Sequence, residues 1–376
     1  MRLSFSGDIL VEKEQLAIIG EGDYYTIIAP TKSAFQTSDL IVGNLETPIA
    51  NREEGYTNHM WSFNTPVQLL SALKAFGFNL LTTANNHCLD RGIEGLKQTI
   101  RNLNNNRIRH TGTRVSSDEK NYCEIEAVFG KIAIFAYTYG TNASLNNCYL
   151  TKEQRGHVNL FKPQESKIKR INKFNILFRA FYKFQRVRKA RFCNYLSDLK
   201  KEVRKAREAG AKIIIMCLHI SDQYSSLPSK ETYRVIKWML DNGIDYVIGN
   251  HEHVIHPIKI FGSQLAAYSL GNFTATPNSE STRNEPDSKK NKTEYSIILH
   301  IDIDDPVLNP VVCFQITKII TGEDGISRTF LLYDLICNEK DPINRQNLIN
   351  DNEWIVRKIF QKSNLVVIPQ SEYKFI

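Results

Sequence analysis

Short apolar runs alternate with stretches in which apolar residues return every three or four positions, and the alternation holds over roughly the first 270 residues. "RLSFS" (Arg2 to Ser6), "DLIVGN" (Asp39 to Asn44), "FNLLTTA" (Phe78 to Ala84), "KIAIFAY" (Lys131 to Tyr137), "AKIIIMCL" (Ala211 to Leu218) and "DYVIG" (Asp245 to Gly249) read as strands. Between them, "TPVQLLSALKAFG" has Pro66 at a helix start, Leu69, Leu70 and Leu73 on one face, and Gly77 as its stop. "GIEGLKQTIRNLNNN", "LSDLKKEVRKAREAG" and "SKETYRVIKWMLDNG" follow the same grammar, the last two closing on glycine. The pattern predicts an α/β fold in which helices cover a sheet.

Two stretches break the rhythm. From Phe161 to Phe192 (161–192) Lys and Arg crowd the chain, and Glu165 is the only acid. Phe174, Leu177, Phe178, Phe181, Tyr182 and Gln185 recur there at helical spacing, opposite a basic face. Such an insertion helix can pack its aromatics on the domain and leave its charges in water, or dock on an anionic membrane surface or polymer, and the two readings are compatible. The second stretch, 276–293, is polar and aperiodic and reads as a mobile loop or linker. Beyond it, 294–376 carries the strand-like pieces "YSIILHIDID", "VVCFQITKII" and "RTFLLYDLI" and a helical pattern near "NEWIVRKIFQK", expected to complete or flank the same domain as 1–275.

Composition narrows the class. Hydrophobic residues are 42% and charged residues 23% of the 376, ordinary for a globular chain, and no run reaches the roughly 18 apolar residues of a membrane span. The seven cysteines are scattered and form no C-x-x-C pair, which favours reduced thiols over disulfides or a thiolate zinc site. Without an export signal pattern the cytoplasm is the expected location, with the membrane periphery left open through 161–192. The net charge of +8 points to an anionic partner. Nucleic acid is the weaker candidate, because no recognition fold surrounds the basic stretch.

Chemistry gathers where strands end. Asp8 follows the first strand, Glu46 the second, Asn85, Asn86 and His87 the third, His219 the run "IIIMCL", and His251 and His253 the run "DYVIGN". Ligands of open α/β sheets collect beyond the carboxyl ends of strands, so these residues are candidates for one site. Singly, each has a bland reading: Asp8 as a turn former, Glu46 as a loop acid, the asparagines as left-handed turn residues, His219 as a hydrogen-bonded core histidine. Together, carboxylate, amide oxygen and imidazole make a ligand set suited to Mn, Fe or Zn. A carboxylate can bridge two such cations, and a histidine outside the ligand set can protonate a leaving oxygen.

The blocks "GDIL", "GNLETPI", "FNTPVQLLSALKAFGFNLLTTANNHCLDRGIEGLKQTI", "MCLHISDQY", "IDYVIGNHEHVIHP" and "AAYSLGNF" resemble, in order, those of the CapA-type poly-γ-glutamate/capsule biosynthesis proteins, within the calcineurin-like metallophosphoesterase superfamily. The resemblance implies a four-layer αββα sandwich with a divalent, dinuclear metal centre at the sheet edge. It would place Asp8 on the first metal, Glu46 as the bridging acid, Asn86, His219 and His251 on the second metal, and His253 back on the first. His87 would assist leaving-group departure, with Asp90 orienting it. The chain departs from the superfamily at Ile9 and Leu10, where Asp-x-His is common, and at Ile220, Ser221, Asn250 and Glu252. The expected activity is phosphoester hydrolysis in capsule or anionic polymer biosynthesis. The alternatives are amide hydrolysis of the polymer, or a non-catalytic accessory role binding polymer or a synthase at the membrane.

Overall fold

The computed structural model describes residues 1–51, 61–164, 194–277, 279, 285–305 and 309–375. The aromatic stripe expected from Phe174 to Gln185 lies outside these residues; Phe161, at the start of the basic stretch, is buried.

Two sheets form from the apolar runs. In the first, β1 (Arg2–Ile9), β2 (Leu40–Leu45), β3 (Leu80–Thr82) and β4 (Arg109–Thr111) pair in parallel. On the other side of β1, β12 (Tyr295–Asp302), β13 (Val311–Thr321) and β14 (Ser327–Leu331) extend the sheet antiparallel. The short β11 (Asn272–Thr274) also joins β1, and β15 (Tyr373–Lys374) joins β13. The second sheet runs β5–β6–β7–β8–β10–β9, with β6 (Gly130–Thr138), β7 (Ala211–His219), β8 (Tyr246–Asn250) and β10 (Gln264–Ala267) parallel, and β5 (Tyr122–Ala127) and β9 (Ile258–Phe261) antiparallel at its edges.

Side-chain alternation explains the layering. On β6, Ile132, Ile134 and Ala136 face the first sheet, where they share one core with Leu3, Phe5, Val42 and Leu80. Ala133, Phe135 and Tyr137, one position out of phase, face the helices α4 (194–208) and α5 (Lys230–Asp241). Strands buried on both faces read as unbroken apolar runs, which is why they are legible in the sequence. The first sheet's outer face is covered by α2 (Gln68–Phe76), through Leu69, Leu70, Leu73 and Phe76, and by α3 (Gly92–Asn105), through Leu103. The short α1 (Lys13–Ile19) adds Leu16 and Ile19 at the margin of that layer. The result is the αββα sandwich that the resemblance implied.

From β12 onward the described chain belongs to this body. β12 pairs with β1 from Arg2↔Asp302 to Phe5↔Leu299. α7 (Leu332–Asn338) and α8 (Pro342–Phe360) add Leu332, Ile336, Ile355 and Ile359 to the core between the sheets. Within the described part of the polar stretch, Pro286–Lys290 form a short helix, α6, and the buried Asn291 donates to the Tyr224 carbonyl at 2.7 Å. Among the described residues no helix is long and apolar enough to cross a membrane.

Candidate metal centre

The carboxyl ends of β1, β2 and β3 meet those of β7 and β8, and the polar residues that end these runs come together. The close approach that permits this is glycine-dependent. A Cβ on Gly7 would stand 1.9 Å from the Gly271 carbonyl oxygen, and one on Gly249 would stand 2.0 Å from that of Tyr268. The next residue, Asp8, donates its N–H to Gly271 O at 3.0 Å and is fully buried. His251 and His253 leave β8 in left-handed backbone conformations, φ 103° and 58°, rare for residues with a side chain.

Asp8, Glu46 and His219 bring ligand-type atoms within 4.8 Å of one another, and so do Glu46, His251 and His253. Glu46 is common to both groups, which pair Asp8 with His219 and His251 with His253, whereas the resemblance joined Asp8 with His253 and His219 with His251. Its Oε1 lies 3.3 Å from His219 Nε2 and 3.9 Å from His253 Nε2. Asp8 Oδ2 lies 3.4 Å from His253 Nδ1 and accepts the His251 N–H at 3.2 Å. Asn86 Oδ1 is 2.7 Å from His219 Nε2, and the His219 and His251 rings are 4.6 Å apart. All six residues assigned to metal by resemblance therefore share one cluster.

Neighbouring groups aim the donors. His253 Nδ1 and Asn272 Oδ1 are 2.8 Å apart, a bond that requires the proton on Nδ1 and leaves Nε2 with the lone pair. Asn44 donates Nδ2–H to Asp8 Oδ1 at 2.7 Å. His87 Nδ1 lies 2.7 Å from Asp90 Oδ2, and the same carboxylate accepts from the Phe63 N–H and from Asn146. The His87 ring packs on Phe63 at 4.4 Å between centroids. With Nδ1 held by Asp90, Nε2 is the ring nitrogen outside that bond. Asn85, by contrast, is a turn residue: it donates to the Leu45 carbonyl and caps the His87 N–H.

Electrostatics mark the cluster as short of positive charge. Burial, reinforced by Asp8, pushes the Glu46 carboxyl well above the usual carboxylate range. Burial, then the neighbouring imidazoles, hold His219 and His251 well below the usual histidine value. Both Glu46 oxygens and His251 Nδ1 are buried without a hydrogen-bond partner. Buried polar groups are nearly always satisfied, and a divalent cation would satisfy all of these at once. The donor set thus fits a metal.

Asn44 and Asn272 were not singled out from sequence. Each is the asparagine of a Gly-Asn pair at a strand end, Gly43-Asn44 and Gly271-Asn272, with Gly249-Asn250 a third. That repetition was a usable signal. Glu252, which could have faced solvent or added charge to the ligands, is fully buried, with its Oε1 3.5 Å from His256 Nδ1.

The fold and the cluster define a class: a two-sheet α/β protein with a buried oxygen/nitrogen ligand set at the rim where the sheets meet. The family described as bacterial capsule synthesis protein PGA_cap matches residues 2–277, and the chain belongs to it. It is similar to the PGA biosynthesis protein CapA of Bacillus subtilis (strain 168), 25% identical over 315 residues, covering 82% of this chain and 73% of that protein. It is also similar to the capsule biosynthesis protein CapA of Bacillus anthracis, 24% identical over 282 residues, or 73% of this chain and 59% of that one. Among solved structures, sulfate thiohydrolase SoxB of Thermus thermophilus aligns with TM-score 0.37 at 11% identity, over 85% of this chain and 43% of that one. A 5'-nucleotidase from Candida albicans SC5314 aligns with TM-score 0.38 at 12% identity, over 81% of this chain and 47% of that one.

Proposed function

We propose that this protein is a metal-dependent hydrolase of capsule or anionic polymer biosynthesis, acting on a phosphoester. The observation that carries the reading is Glu46, fully buried with neither oxygen hydrogen-bonded, where Asp8, His219, His251 and His253 converge. Asp8, Glu46 and His253 would hold one divalent cation, and Glu46, Asn86, His219 and His251 a second, of the Mn, Fe or Zn type. Such cations supply charge neutralisation to phosphoryl oxygens and lower the pKa of water. His87 delivers a proton from Nε2 to the departing oxygen, and Asp90 stabilises the charged imidazole and fixes its orientation. Asn44 and Asn272 keep Asp8 and His253 in register.

The test is metal content of protein purified without added metal, followed by phosphomonoester and phosphodiester turnover with added Mn, in the natural protein and in Glu46→Gln. The reading expects bound metal and metal-dependent turnover, both lost in the variant. Protein with neither metal nor turnover would instead be an accessory that binds polymer or synthase. Turnover that survives Glu46→Gln would place the chemistry elsewhere.

A further inference from the structure

Two cavities open onto the cluster, and their walls differ in charge. The first, about 270 Å³, is walled by Leu10, Trp61, Phe63 and Tyr224 and carries two acids, Glu12 and Glu285. Among the described residues no Lys or Arg lines it. The second, about 210 Å³, is built on the 138–145 segment that follows β6 and carries a cation, Lys162, whose Nζ stands 4.2 Å from the Tyr139 ring centroid. Asn86 lines both, so the cavities adjoin at the cluster. His87 lines the first, and His219 and His251 line the second. A leaving group that takes its proton from His87 therefore departs into the acidic, aromatic cavity.

Glu12 is the unusual member of that wall. It is 3% exposed, and its Oε2 accepts the Thr276 N–H at 2.8 Å. Among the described residues it forms no ion pair, although burying a carboxyl without a cation is costly. Burial accordingly pushes it up to about 8. A carboxyl set among a tryptophan, a phenylalanine and a tyrosine suits an ammonium, whose arrival would favour the ionised carboxylate and whose charge would lie against the ring faces. Among the described residues a polymer-type anion finds no lysine or arginine on this side and finds Lys162 on the other.

We propose that the site selects a dipolar phosphoester, one whose departing alcohol carries an amine. Its ammonium would lie in the Glu12 cavity and its phosphoryl end at the cluster, with any further anionic groups toward Lys162. In the reaction, water oxygen bonds to phosphorus and the P–O bond to the amino alcohol breaks with its electron pair on oxygen. His87 Nε2 gives that oxygen its proton, and the attacking water loses one to solvent. This rests on the hydrolase reading for turnover, but not for binding.

The experiment compares O-phosphoethanolamine, ethyl phosphate and 2-phosphoglycolate on the full chain with Mn, by calorimetric binding and by phosphate release. O-Phosphoethanolamine should bind about tenfold more tightly than ethyl phosphate, the scale of a desolvated ammonium–aromatic contact, and 2-phosphoglycolate should bind most weakly. In Glu12→Gln/Glu285→Gln the preference for the ammonium ligand should collapse to within about threefold. Thermal melting reports whether the double variant is folded, and Glu285→Gln alone, at an exposed position, should lower the preference in part. Equal binding of the first two ligands, a preference unchanged in the double variant, or no binding of any of the three overturns the inference. Preferential binding without phosphate release would leave the dipolar site standing and remove the hydrolase reading.

Discussion

Glu46 is the residue on which the site turns, and its cost can be measured without substrate. Burial and Asp8 raise its folded pKa above the ordinary 4.5, so the metal-free fold prefers the protonated acid. The sign follows from linkage: this residue's stabilising share is complete below about pH 4.5 and is lost as pH rises toward the folded value. Chemical denaturation of chelator-treated protein should therefore show stability falling with rising pH. Glu46→Gln should fall less steeply, and at neutral pH it should be as stable as the metal-free natural protein or more so. His87 has a different signature. His87→Asn should lower turnover about 10²- to 10⁴-fold while bound metal, measured by elemental analysis, stays at the natural level. Asp90→Asn should cost turnover too, with metal again retained, because Asp90 touches the imidazole and not the cluster. The residues legible in the sequence were those whose type announces chemistry: acids, histidines and the Asn86-His87 pair. The ones missed, Asn44, Asn272 and Glu12, act through partners far away in sequence, such as His253 for Asn272, and an asparagine or a lone glutamate after a strand looks like any turn residue.

At the scale of elements, strands with two buried faces were plain, and β7 runs Ala211–His219 where Ala211 to Leu218 was expected. Elements with one buried face or little length were not. β5 and the β9–β10 hairpin sit at or near a sheet edge, and β3 keeps only Leu80–Thr82 of a longer apolar run because Ala84 and Asn85 already turn into the site. α8 begins at Pro342, under an Asp341 cap, well before the apolar spacing becomes visible near Trp354. The helix was seen late because its first turns are polar and exposed. The β1–β11 crossing point could not be read at all, since it depends on two glycines more than 260 positions apart meeting back to back, Gly7 against Gly271. Gly7→Ala forces a methyl into a backbone carbonyl that cannot move away without breaking the Asp8 N–H bond. Urea denaturation should show a loss of about 3 kcal/mol, and metal content should fall with it.

For the molecule as a whole, the family match ends at 277 but the fold does not. β12 is the antiparallel neighbour of β1, and α7 and α8 close the core between the sheets. A chain ending at residue 277 should accordingly show no cooperative thermal transition, and little of it should remain soluble on expression; a sharp melt would refute the arrangement. The α/β alternation foretold the layers, whereas the closing role of the last hundred residues was open, because nothing in a strand's composition names its neighbour. That pairing also sets a schedule. β1 emerges from the ribosome about 290 residues ahead of β12, a delay on the order of 15–60 s at ordinary synthesis rates. For most of that interval Asp8 has neither the Gly271 carbonyl nor the His251 amide beside it, because both residues are made late in the chain. All six residues that would hold metal, ending with His253, precede β12 in the chain, so the cluster's residues are all made while the edge of β1 still waits for its strand and stands open to pairing with another molecule.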